Sequence, residues 1–130
     1  MNQRSRLRNR AYQIKKNGIK DDYIDKQILA IHYAIVTKLL ENPHLVAQVV
    51  NTLNERRDTG KIGYGAYITW VSLLELIDEP ATFSAGILDY SAKMRRLRRK
   101  TPFVNILTEE ERVAALNVNS IGEFNSINLF

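Results

Sequence analysis

Between Asp21 and Leu40 the apolar residues Ile24, Ile28, Ile31, Ile35 and Leu39 recur every three or four positions. Leu29, Ala30, Val36 and Leu40 widen that stripe until most of the implied helix is apolar. A helix that is apolar on nearly every side must be enclosed, so the chain is constrained to an architecture in which other elements pack around this one. The run from Ile28 to Leu40 contains His32 and Lys38 and is too short to span a bilayer, which makes it a core helix and not a membrane span.

The flanking segments supply the neighbours. Leu7, Ala11 and Ile14 mark a first helix, which Asn17-Gly18 closes with a left-handed cap and Ile19 folding back. Asp21 and Asp22 cap the central helix, with Asp25 in its first turn, where acids suit the dipole. Asn42-Pro43 reads as an N-cap followed by the proline that fits a first helical position. It opens a third helix bearing Leu45, Val46, Val49, Val50 and Leu53, which Asp58-Thr59-Gly60 stops. The Gly60–Gly65 loop leads into a fourth helix carrying Tyr67, Trp70, Val71, Leu74 and Ile77, ended by Asp78-Glu79-Pro80. Ile87, Tyr90, Met94 and Leu97 predict a fifth helix, closed before Thr101-Pro102. Thr108 to Glu111 is a capping box for a short sixth helix reaching Leu116.

No alternating strand pattern runs beyond a few residues, and neither repeats nor low-complexity segments occur. A chain of 130 residues suits one core. The expected fold class is therefore all-α: a single compact bundle of about five to six helices over residues 1–116, with a basic N-terminal helix or a flexible basic arm over residues 1–10 and an irregular tail, docked or flexible, over 117–130.

Charge is segregated. Thirteen of the 19 basic residues fall in two acid-free runs, Arg4, Arg6, Arg8, Arg10, Lys15, Lys16 and Lys20, then Lys93, Arg95, Arg96, Arg98, Arg99 and Lys100; the remainder of the chain holds 6 basic and 14 acidic residues. Two such patches are the footprint of a polyanionic partner. On a helical wheel Ile87, Tyr90, Met94 and Leu97 share one sector, while Arg95, Arg96, Arg99 and Lys100 fan out opposite. Arginine outnumbers lysine in the second run, and guanidinium forks match phosphate or carboxylate oxygens. Arg95, Arg96, Arg98, Arg99 and Lys100, assisted by Arg4, Arg6, Arg8 and Arg10, are thus the candidate contacts to a nucleic-acid backbone or an acidic protein surface. Glu75, Asp78 and Glu79 crowd a helix C-terminus against its dipole, which either a neighbouring basic helix or plain solvation explains.

Other chemistry finds little support. With no Cys there are no disulfides, thiolates or Cys-ligated metals, which suits a reducing cytoplasm, and no signal peptide is readable. Gln13 to Leu29 has the outline of a helix-turn-helix, but Asp21, Asp22 and Asp25 would open its recognition helix against phosphates. The Gly60–Gly65 loop lacks the Gly-Lys-Ser/Thr ending of a phosphate cradle. His32 lies on the most apolar helix as a core histidine, and Asp25 with His32 lacks a third metal ligand. No catalytic constellation or cofactor motif emerges, so a hydrolase or nuclease is the least supported reading. Two readings lead. One is a non-enzymatic nucleic-acid-associated or regulatory protein; the other is a protein-interaction module, such as an adaptor, inhibitor or toxin-neutralising partner, using the basic helix or the tail. In that tail Phe124, Ile127, Leu129 and Phe130 are too many large apolar groups for water, and are expected to dock on the domain itself or on a second copy in a homodimer.

Overall fold

The computed structural model describes the backbone of residues 2–117 and the side chains of residues 20–117, and no strand occurs among them. The elements are α1 (Asn2–Glu41), a 3₁₀ turn (Pro43–Leu45), α2 (Val46–Asp58), α3 (Tyr64–Leu74), α4 (Pro80–Ile87), α5 (Ala92–Arg99) and a last helix, α6, over residues 109–117. The chain is the all-α bundle that its apolar periodicity implies, with no helix long and apolar enough to cross a membrane among the described residues.

The C-terminal half of α1 buries one face in the core and leaves the face bearing Tyr33 and Thr37 exposed. Ile35, Val36 and Leu39 are buried, and they pack with Val49 and Leu53 of α2, Trp70 and Leu74 of α3, Phe83 and Ile87 of α4, Met94 of α5, and Phe103 and Ile106 beyond it. Trp70 meets the Phe103 ring edge to face at 5.3 Å, and Phe103 meets His32 likewise at 5.7 Å, so three elements share one aromatic contact.

Three boundaries differ from the sequence expectations, each because a punctuating residue serves another purpose. First, Asn17-Gly18 does not end a helix: α1 continues through it, so the segments expected as two helices are one. A single glycine inside a helix costs only about 0.5–1 kcal/mol, which the surrounding turns absorb. Asp21, Asp22 and Asp25 are consequently mid-helix residues and do not cap: Asp25 and the Asp21 carbonyl accept from Arg99 of α5, and Asp22 accepts from Tyr90 in the turn before it. Second, Asn42 donates its side-chain amide to Lys38 O and closes α1; a 3₁₀ turn intervenes before α2. Third, Pro80 begins α4 in the first helical turn instead of merely ending α3. The segment expected as one fifth helix is then two, because Ser91 accepts from the Met94 amide at 3.2 Å and starts α5 afresh. Ile87 and Met94 keep their helical spacing although a break separates them, since both helices bury toward the same core.

Two signals acted as read. Gly60, at φ 72°, ends α2 with bonds from its amide to Arg57 O and from the Lys61 amide to Arg56 O, the double bond pattern that needs a left-handed residue. The Thr108–Glu111 box closes reciprocally, Glu111 N to Thr108 Oγ1 at 3.1 Å and Thr108 N to Glu111 Oε1 at 2.8 Å. Lys38 also donates to that carboxylate at 2.6 Å, tying α6 to α1. The ammonium group first, then the Thr108 amide, holds the Glu111 carboxyl below its usual range.

Candidate functional site

The second basic run forms α5 and the turn after it, and its side chains divide by helical position. Met94 and Arg98, four apart, both turn inward. Arg98 is only 1% exposed and donates from Nη1 to the carbonyls of Ile87, at 2.9 Å, and Asp89, at 2.6 Å. It thereby satisfies carbonyls left open at the buried C-terminal end of α4, where a cation suits the dipole, while its Nε and Nη2 are buried without a hydrogen-bond partner. Burial presses its pKa downward. This corrects the expectation for Arg98: it is not a surface contact, because its length is used to brace the chain reversal between α4 and α5.

The outward face is fixed to α1. Arg95 lies over the Tyr90 ring at 4.9 Å, and Tyr90 donates its hydroxyl to Asp22 at 2.8 Å. That hydroxyl, followed by Lys26, keeps the Asp22 carboxyl below its usual range, whereas burial and then the Asp22 bond raise the Tyr90 pKa. Arg99 donates from Nε to Asp25 at 2.7 Å and from Nη2 to Asp21 O at 3.2 Å. The Asp25 bond strengthens the hold of Arg99 on its proton. The acids of α1 thus clamp α5 in place. Among the described residues no ion pair joins Glu75, Asp78 or Glu79 to the basic helix.

The cations that remain face a cleft. The left-handed turn at Gly60 brings Lys61 back beside the end of α2, and Arg56 reaches across 44 positions of sequence to donate to Lys100 O at 3.0 Å. Between these two elements lies a cavity of about 430 Å³ walled by Arg56, Lys61, Arg96, Arg99 and Lys100, with the buried Trp70 also lining it. No carboxylate lines it. Lys61, Arg96 and Lys100 are exposed, and their side chains make no ion pair or hydrogen bond among the described residues. Four of these cations, Arg56, Lys61, Arg96 and Lys100, have no acid partner among the described residues, while Arg99 is held to Asp25; such a group suits the oxygens of phosphate or sulfate groups, with guanidinium forks giving direction and ammonium groups charge. The pattern of acid-free runs located Arg96, Arg99 and Lys100; it missed Arg56 and Lys61, which lie outside those runs and join the site only through the tertiary fold.

Elsewhere the candidate groups are committed to the fold. His32 is 1% exposed; its Nδ1 donates to Ile28 O at 2.7 Å, and its Nε2 accepts from the Thr101 hydroxyl at 2.8 Å, which itself accepts from the Phe103 amide. Asp25 is turned to Arg99, so it and His32 do not converge on a common ligand. The outline of a helix-turn-helix at Gln13 to Leu29 is occupied by unbroken α1. The side chains of Arg4, Arg6, Arg8 and Arg10 lie outside the described residues, as do Phe124, Ile127, Leu129 and Phe130 of the tail. Comparison of the chain with models of known families, with curated proteins and with solved structures finds no match to any of them.

Proposed function

We propose that this chain is a non-enzymatic protein that binds the backbone of nucleic acid through the cleft between the end of α2 and α5. The observation that carries the reading is the convergence of Arg56, Lys61, Arg96, Arg99 and Lys100 on one cavity with no acid in its wall. Placing several like charges side by side opposes folding, and most cations on ordinary surfaces are interspersed with acids; a cluster in which Arg56, Lys61, Arg96 and Lys100 have no acid partner among the described residues is the arrangement that a polyanion rewards. Phosphate contacts of this kind position a backbone without reading its sequence. The cleft also lacks a hydroxyl nucleophile, carboxylate or imidazole, the groups with which a small hydrolase would act. A chain without Cys suits the cytoplasm, where we place its activity.

The test is a titration of fluorescent duplexes of unrelated sequence at several salt concentrations. Binding should be similar across sequences and fall steeply with salt, since each neutralised phosphate contributes about −0.9 to the log–log slope. Lys61→Gln, Arg96→Gln and Lys100→Gln together should flatten the slope by roughly two to three, with an unchanged thermal melt. No binding at low salt, or an unaltered slope in the triple variant, overturns the proposal. So does retention of an acidic peptide in preference to any nucleic acid, which would assign the cleft to a protein surface.

A further inference from the structure

A second cavity, on the opposite chemistry, lies along α1. It measures about 560 Å³ and is predominantly apolar, with Leu29, Ala30 and Ala34 of α1 on one wall and Leu107, Ala114 and Ala115 on the other. Ala30 and Ala34 are one helical turn apart, as a pair of small residues must be to notch a helix face, and Ala114 and Ala115 provide the matching notch on α6. Small residues on both walls leave room for a further apolar group, while Thr37, Lys38, Glu41, Asn42 and Glu111 also line the groove. The adjacent Tyr33 is 66% exposed.

We infer that this groove receives the chain's own C-terminal segment, with Phe124 and Ile127 as the anchoring side chains. Three observations commit the groove to this occupant. The segment starts at the groove: α6 supplies Ala114 and Ala115 to the wall and is described to Asn117, two positions later. It is long enough: 13 residues follow Asn117 and reach about 43 Å when extended at about 3.3 Å each, while the α1 wall from Leu29 to Glu41 spans only about 18 Å at 1.5 Å per residue. Its composition complements the wall: Ile121, Phe124, Ile127, Leu129 and Phe130 are accompanied by a single charge, Glu123, so the segment brings apolar area and little that must stay in water. The intervening Asn, Ser and Gly residues disfavour a continued helix and suit a strand of chain that turns back along α1.

The chain contains no Cys, so a nitroxide on Ser126→Cys reports from one place. In dilute full-length protein it should broaden the methyl signals of Ala30, Ala34, Ala114 and Ala115 more than any others. A mixture of spin-labelled chains without isotope and isotope-labelled chains without nitroxide should show no such loss. Ala34→Glu, which fills the notch with a charge, should abolish the pattern while the protein still melts cooperatively. Where that variant does not fold, Phe124→Asp with Ile127→Asp serves instead, since these positions lie outside the core already described. Broadening that is absent, or spread evenly over the domain, overturns the inference; broadening only in the mixed sample also overturns it and gives the groove to a second copy.

Discussion

At the scale of single residues, the interior is set by two long-range polar anchors. His32 sits where the core helix meets the turn after α5, and its bonding to Ile28 O and Thr101 requires the neutral ring with its proton on Nδ1. Burial lowers its pKa from 6.5 to about 4, with repulsion from Arg98 adding to the fall and the Ile28 bond opposing it. The ring in the unfolded chain gains a proton near pH 6.5, whereas in the folded chain it does so only near 4. Stability from this group is therefore complete above pH 6.5 and declines as the pH falls toward 4, by about 3 kcal/mol in all. Urea melts across that range should show the decline, and the His32 ring resonances should keep their neutral positions to below pH 5. A ring that titrates near 6.5 would refute the burial. His32 was legible as a core histidine from its apolar neighbours alone. Arg98 was half legible: its place four residues after Met94 put it on the inward face, but its charge argued for the surface. What decided the matter was the pair of carbonyls at the end of α4, which no local pattern discloses.

At the scale of elements, the sequence marks helix faces better than helix ends. Every buried stripe residue on the C-terminal half of α1 follows from periodicity, because burial of one face is what that pattern records. Ends depend on competition between local bonds. Asn42 has the chemistry to cap the following helix and instead closes the preceding one; Asp21, Asp22 and Asp25 have the chemistry of a first turn and instead hold α5. Gly18 gives the cleanest check on this rearrangement. Inside a continuous helix, Gly18→Ala removes freedom from the unfolded chain and improves propensity, so it should stabilise by about 0.5–1 kcal/mol. At a left-handed cap the same change would be destabilising. Thermal melts of the two proteins decide between one helix and two. By the same logic Gly60, whose φ is 72°, should not tolerate Ala, because the turn that returns Lys61 to the cleft depends on it.

At the scale of the whole molecule, Arg4 to Arg10 lie on a stretch of α1 well before the point where α5 meets it, and Lys15, Lys16 and Lys20 fall on the helix between. α5 crosses α1 at Asp21 to Asp25, and α1 continues from there toward Arg10 and Arg4 as a single helix. Fifteen positions separate Arg10 from Asp25, about 22 Å at 1.5 Å per residue. That the runs were basic was plain from composition; that one helix carries Arg4 to Arg10 away from α5 was not, because it depended on Gly18 failing to end α1. The separation makes the proposed polyanion binding depend on length. With about 3.4 Å per base pair, a duplex of about six base pairs is no longer than the gap and engages the cleft or the N-terminal run, whereas one of about twenty reaches both. Arg4→Gln, Arg6→Gln, Arg8→Gln and Arg10→Gln together should therefore flatten the salt slope for the longer duplex by up to about three to four. The slope for a short duplex held in the cleft should hardly change. Each neutralised phosphate contributes its own share to the slope, so combining these four substitutions with the three in the cleft should reduce the long-duplex slope by nearly the sum of the two effects. Equal losses at both lengths would show that Arg4 to Arg10 and the cleft act as one contact surface, and would contradict their separation along α1.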